Sequence, residues 1–307
     1  MAGYRPQEAR ANGTSGARAL GGCRMESRIL GKIELDETAL RHDVDRILAS
    51  PADTTYAGYC FGTWNVYLLW NASGDVSDAT LHEFDGPGRF TSLGVQLPYI
   101  ASIIGRNFRT ERMKWARAFL LRNGNLVPHR DYLEFKKPLK RVHLALFTHE
   151  SSMHSEDDEV FQMRNGEVWY LAAERIHSAA TLTDFARVVI CMEFDLDAGQ
   201  ELEAVFRNPP SASTVFAPRI VDRQPLTARE LEAIYNLGYL VDERNFSDIL
   251  RLLSKVHFYK RVRGVDLFHW LTEIAQRSGN SRVIERVAKL KKNCIESREM
   301  NEHISVH

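Results

Sequence analysis

The stretch Val127-Pro128-His129-Arg130-Asp131 sets an imidazole and a carboxylate two residues apart, and a second imidazole, His177, follows 46 residues after Asp131. Two histidines and one carboxylate form the facial set that holds non-haem Fe(II) and leaves neighbouring positions open for a co-substrate and oxygen. Residues two apart share a face of a strand, so His129 and Asp131 can turn toward one metal where a strand runs into a loop. Arg187 lies ten residues beyond His177. Its planar fork suits the far carboxylate of 2-oxoglutarate. A bare His-X-Asp arises by chance in many chains; the added His177 and Arg187, each in a strand-like context, give it weight.

Elements must bring these residues together. Ile29 to Ile33 reads as a short strand, and Asp36 caps a helix from Thr38 to Leu48 with Leu40, Val44, Ile47 and Leu48 on one side. Phe61 to Trp70 is rich in aromatic and β-branched residues and ends in the turn Asn71-Ala72-Ser73-Gly74, a buried strand. Leu97 to Phe108 is amphipathic and helical, and Trp115 to Leu121 is strand-like and carries Arg117. Further strands follow at Val142 to Phe147, at Val168 to Leu171 after the turn Arg164-Asn165-Gly166, and at Val188 to Met192. Many short strands at modest spacing mean a sandwich or barrel. Residues 195 to 225 are loop-like. Then the period becomes helical: a capping box at Thr227 to Glu230, a second helix from Phe246 to Val256, and two more over Leu267 to Arg277 and Arg282 to Lys292, with Gly279 as a stop between them.

The segments Val127 to Glu134, Arg141-Val142-His143-Leu144 and Gly166-Glu167-Val168-Trp169-Tyr170-Leu171 run in order toward His177-Ser178-Ala179. Together they resemble the bacterial free L-proline cis-hydroxylases, Fe(II)/2-oxoglutarate enzymes that make cis-3- or cis-4-hydroxyproline. The likeness continues through Asn245 to Leu250 and Leu253 to Phe258, and covers nearly everything after Met25. The resemblance implies a double-stranded β-helix (jelly roll) with iron at its open end, a mainly β fold with a C-terminal helical region. Residues 1–25 read as a disordered leader, with Met25 a possible true start; 26–215 read as the catalytic domain with N-terminal helices, and 216–307 as helices packed on the barrel.

The resemblance assigns His129, Asp131 and His177 to Fe(II), Arg187 to 2-oxoglutarate, and Arg141 and Arg117 to the carboxylate of a free amino acid. Oxygen is the second co-substrate and ascorbate the expected reductant. Trp169 either walls the pocket or belongs to the core. His143 and His154 read as satisfied structural histidines, and Asp157-Asp158-Glu159 as a solvated loop that could form a lid with Met153 to Ser155. One departure stands out: family members carry an acidic residue after Gly-Glu-Val-Trp-Tyr-Leu, where this chain has Ala172. If position 172 lines the pocket, there is room for a six-membered ring, and L-pipecolic acid joins L-proline as a candidate substrate; if it faces away, the change is neutral.

Composition fits this reading without carrying it. Apolar residues make up 44% and charged residues 26% of 307, ordinary for a globular chain. Lys+Arg and Asp+Glu balance at 40 each, so no global field draws the chain to nucleic acid or an anionic membrane. Cys23, Cys60, Cys191 and Cys294 are scattered, which argues against a zinc knot or disulfide framework and for a reducing cytoplasm. No apolar run is long enough to span a bilayer. Two other readings stay open: a hydroxylase of Asp, Asn or Pro side chains within a protein, and a jelly-roll protein that keeps a metal without turnover.

Overall fold

A computed structural model describes residues 25–299 and 306, except 56, 134–136, 138 and 212. The expected disordered leader, apart from Met25, lies outside the described residues. The strands are β1 (Arg28–Lys32), β2 (Cys60–Asn71), β3 (Arg89–Phe90), β4 (Met113–Leu126), β5 (Lys140–Phe147), β6 (Ser152–Glu156), β7 (Glu159–Gln162), β8 (Glu167–Leu171), β9 (His177–Thr181), β10 (Arg187–Phe194) and β11 (Arg219–Ile220). Between the early strands run the helices α1 (Glu37–Ala49), α2 (Ser92–Val95) and α3 (Pro98–Asn107). Asp36 caps α1 as expected, its carboxylate accepting from the Thr38 and Ala39 amides.

The strands pair in the order β1-β8-β5-β10-β4-β9-β6-β7-β11, with β2 alongside β4. Strand β4 serves two sheets. Its residues Met113 to Leu121 pair with β10, whereas Gly124 and Asn125 pair with β9. Beyond β4 the chain alternates: β5, β8 and β10 in one sheet, the β6–β7 hairpin and β9 in the other. This winding is a double-stranded β-helix.

The bend in β4 is sterically defined. Asn123 has φ 45°, and the opposing Gly62 has φ 101°. A Cβ on Gly124 would lie 2.0 Å from the Phe61 carbonyl oxygen and 2.9 Å from Gly62 Cα, where only glycine fits. Gly124→Ala is therefore expected to destabilise the fold by about 3 kcal/mol or more, read as a drop in the urea midpoint of unfolding. A midpoint within experimental error of the parent would show that the two strands can part without loss.

Strand β10 shows why the first sheet is apolar throughout. Val189 and Cys191 pack inside the barrel with Trp115, Leu121, Ala145, Trp169 and Leu171. Val188, Ile190, Met192 and Phe194 pack outside with Leu40 and Ile47 of α1 and Ile100 and Ile104 of α3. A strand buried on both faces reads as a continuous hydrophobic run, so the polar residues that do point inward from it, Arg187 and Glu193, need a reason.

The C-terminal helices are α4 (Ala228–Tyr235), α5 (Phe246–Leu253), α6 (Val256–Tyr259), α7 (Asp266–Ser278) and α8 (Ser281–Lys291). The capping box at Thr227 and Glu230 is present, and Gly279 ends α7 with φ 63°. Leu250, Phe268, Leu271 and Ile274 share one core cluster with the barrel interior. The helix expected over Phe246 to Val256 is broken: α5 closes at Ser254, whose hydroxyl accepts from Asn125 Nδ2 at 2.9 Å. A polar contact across the interface thus falls where the helix closes. The expected lid is also corrected. Met153 to Ser155 lie in the buried strand β6, and Asp157 and Asp158 form the tight turn to β7, with Asp157 at φ 50°. Among the described residues no helix is long and apolar enough to cross a membrane.

Candidate metal centre

The two sheets meet at the proposed ligands. His129 lies just beyond β4 and pairs with His177, the first residue of β9, through reciprocal backbone bonds of 3.0 and 2.9 Å. Their rings are 4.5 Å apart between centroids. Asp131 then turns back, its amide donating to the Ala173 carbonyl at 2.8 Å. Tyr132 reverses the chain with φ 61°, a conformation rare for a non-glycine residue and typical of functional turns. One ligand atom from each of His129, Asp131 and His177 can be chosen so that all lie within 4.8 Å of one another.

The imidazoles are prepared for a metal. His129 Nδ1 lies 2.7 Å from the Val127 carbonyl and His177 Nδ1 2.9 Å from the Arg175 carbonyl. A carbonyl only accepts, so each Nδ1 carries the proton and each Nε2 keeps its lone pair, the tautomer a metal needs. Those Nε2 atoms face Asp131, at 3.6 Å from Oδ1 for His129 and 3.4 Å from Oδ2 for His177. Burial, reinforced by His177, pulls the His129 pKa down to about 3, which keeps the ring neutral. Burial alone would raise the Asp131 carboxyl, but Arg141 and the two imidazoles hold it well below the usual carboxylate range. Two neutral nitrogens and one carboxylate on a half-open face fit a divalent iron ion.

Arg187 projects into the barrel from the first residue of β10 and is 2% exposed. Its Nη2 donates to His154 Nε2. No carboxylate of the described residues lies within ion-pair distance, and burial draws its pKa down to about 9. A buried cation without an anion is unfavourable, and among the described residues no carboxylate offsets this one. Behind it stand stacked rings: His154 on Phe161 at 5.7 Å and Phe161 on Trp169 at 4.6 Å. Trp169 is wholly buried in this wall, its Nε1 bonded to Glu167, and belongs to the core.

Arg141 and Arg117 converge on Glu193. Arg141 Nη1 donates to Asp131 and its Nη2 to Glu193 Oε1 at 3.0 Å; Arg117 Nη2 donates to the same Glu193 oxygen. His143, on the same face of β5 as Arg141, is not the satisfied histidine expected from sequence: neither ring nitrogen has a partner, and burial together with Arg187 and Arg141 keeps it neutral. Ala172 is placed otherwise than the pocket reading required. It packs with Leu30, Val142 and Tyr170 in the helix-covered outer layer, because the alternation of β8 carries on to the residue just past its end. A smaller residue at 172 therefore gives a ring no extra room. Glu193, missed from sequence, completes the cluster.

The C-terminal region secures the ligand loop. The Arg130 amide donates to the Cys294 carbonyl at 2.8 Å. Arg298 donates to the Arg130 carbonyl at 3.3 Å and to the Tyr59 hydroxyl at 2.8 Å, and the Tyr59 ring lies 5.2 Å from that of His129. Arg298→Ala is expected to weaken iron binding about tenfold, as supporting contacts around metal ligands do, with little change in melting temperature. Unaltered iron affinity by competitive chelator titration would mean that the loop holds its shape unaided.

Residues 202–302 match the family model "L-proline 3-hydroxylase, C-terminal", and residues 32–196 match the model "Aspartyl/Asparaginyl beta-hydroxylase". The L-proline cis-3-hydroxylase 2 of Streptomyces sp is 32% identical over 287 residues, 92% of this chain and 99% of that one. The chain belongs to the L-proline cis-hydroxylase family. The L-proline cis-4-hydroxylase of Rhizobium meliloti (strain 1021) is 28% identical over 279 residues, covering 91% of this chain and 99% of that relative. Cis-hydroxylase relatives of both regiochemistries thus span the barrel and the helical region alike.

Proposed function

We propose that this protein is an Fe(II)- and 2-oxoglutarate-dependent dioxygenase that hydroxylates a ring carbon of a free cyclic amino acid, L-proline or L-pipecolic acid, releasing a cis-hydroxylated product, succinate and CO2. The observation that carries this reading is the separation of two cationic sites around one ligand set. Arg187 has no carboxylate partner among the described residues, whereas Arg141 and Arg117 converge on Glu193, with Arg141 also on the ligand candidate Asp131. Each suits one carboxylate, the first that of the co-substrate and the second that of the amino acid.

Iron held by His129, Asp131 and His177 would supply the oxygen-activating centre and chelate the 2-oxo acid. The chain's own residues do the rest. Arg187, oriented by His154, holds the far carboxylate and fixes the co-substrate along the barrel axis. The stacked wall of Phe161 and Trp169 excludes water. Arg141 ties the ligand Asp131 to the substrate site, so metal and substrate are placed by one side chain. Positioning of this kind decides which ring carbon reacts, since shifts of about an ångström change outcomes. Ascorbate serves to keep the iron reduced, and the free buried thiols Cys60, Cys191 and Cys294 accord with a reducing cytoplasm.

The match of residues 32–196 to the aspartyl/asparaginyl model supports a second reading, hydroxylation of a side chain within a protein. Succinate formation by iron-loaded protein separates the two. A free cyclic amino acid is expected to stimulate it at least tenfold over the uncoupled background, and a proline-containing peptide is not. Stimulation by the peptide alone would reverse the assignment.

A further inference from the structure

Glu193 is fully buried on the inward face of β10, in register with Trp115 of β4 and Arg141 of β5. Its Oε1 is crowded: Arg117 Nη2, Arg141 Nη2 at 3.0 Å and the Tyr132 hydroxyl at 3.4 Å all donate to it. Among the described residues its Oε2 accepts nothing, and on the two flanking strands, in register with it, the Trp115 Nε1–H and the Arg141 Nε–H donate to nothing. Leaving a buried polar atom unpaired is unfavourable by about 1–3 kcal/mol, more for a charged group, and such atoms in a native fold ask for an explanation. Residues with unpaired donors thus flank, in register, a residue with an unpaired acceptor. That is the complement of a molecule carrying both an anion and an N–H cation.

We propose that Glu193 Oε2 receives the ring ammonium of the substrate while the Arg141 and Trp115 N–H groups take its carboxylate. The proposal rests on the free-amino-acid reading above and names the residue that enforces it. The guanidiniums on Oε1 fix the carboxylate, so Oε2 is held in one orientation before binding. Selectivity follows from the group left unpaired. A prolyl residue inside a peptide has a tertiary amide with no N–H and no charge, and would bury Oε2 without a donor. Sites built to pair a polar substrate group reject analogues lacking it far more strongly than apolar pockets reject a missing methylene.

The test compares L-proline with (S)-tetrahydrofuran-2-carboxylic acid, in which an ether oxygen replaces the ring ammonium, by substrate-dependent succinate formation. Wild-type enzyme is expected to favour L-proline by at least 100-fold in kcat/KM. Glu193→Gln is expected to lower kcat/KM for L-proline about 100-fold, to change that for the ether less than threefold, and to leave the KM for 2-oxoglutarate in place. Glu193→Asp, which keeps the charge at shorter reach, is expected to retain part of the preference. An unchanged preference in Glu193→Gln overturns the proposal, as does an equal fall for both compounds, which marks Glu193 as a mere support for the arginines. Should Glu193→Gln fail to fold, the wild-type ratio decides, and the absence of an amine preference overturns the proposal. Wild type that processes neither compound, nor L-pipecolic acid, sinks the amino-acid reading itself, whereas wild type active on the amino acid with an unaltered ratio in the variant sinks only the role of Glu193.

Discussion

Arg187→Met is expected to raise the KM for 2-oxoglutarate by two to three orders of magnitude while leaving the ligand-free protein as stable as the parent, or more so. The first effect arises because the far carboxylate of the co-substrate would enter a buried site with no cation. Truncating one partner of a buried charge pair is unfavourable by about 2–5 kcal/mol, and each 1.4 kcal/mol is about tenfold in an equilibrium. The second effect has the opposite sign. Arg187 is buried without a carboxylate among the described residues, and burial depresses its pKa. Replacing an uncompensated buried cation by an apolar side chain of similar volume is neutral or stabilising. Only a residue kept for a ligand shows this pairing of lost binding with retained stability. Initial rates against 2-oxoglutarate and thermal unfolding of the same preparation would read both. A lower melting temperature with an unchanged KM would make Arg187 structural.

Asp131→Asn should behave differently, because Asp131 serves two partners. Its carboxylate faces both imidazoles and accepts from Arg141 Nη1. The amide keeps the volume and loses the charge. Iron affinity is expected to fall more than 100-fold, beyond what loss of a supporting contact produces. The metal-free protein is also expected to lose about 1–3 kcal/mol, since among the described residues Arg141 then keeps Glu193 alone as a carboxylate partner. Iron retained at stoichiometric level after gel filtration of the variant would remove Asp131 from the ligand set.

Much of this site was legible in the chain. The His-X-Asp pair, the second histidine and the arginine ten residues on were all visible as spacing, and the structure brings the three ligand candidates onto one centre. The strands with β-branched runs and the capped helices were legible because local pattern and tertiary burial agree there. What escaped has physical reasons. Strands β6 and β9 hold Ser, His, Glu, Ala and Thr with Met153 alone among large apolar side chains, too little for a hydrophobic period, and form because β4 bends and offers a second edge. Ala172 faces the helices because β8 alternates, and alternation counted from Trp169 already puts 169 and 172 on opposite faces. Glu193 could have been found the same way: it sits six residues from Arg187, an even number, at the far end of an otherwise apolar strand. His143 looked satisfied only because a sequence does not show which polar groups lack partners.

The central claim, coupled oxidation of a free cyclic amino acid, is tested most directly by turnover under ¹⁸O2. Iron-loaded enzyme, 2-oxoglutarate and ascorbate would be incubated with L-proline and with L-pipecolic acid in separate tubes, and the products weighed by mass spectrometry. One labelled oxygen in the hydroxylated amino acid and one in succinate, formed in equal amounts, is the expected result. Iron-loaded protein that yields no labelled succinate with either compound would contradict it.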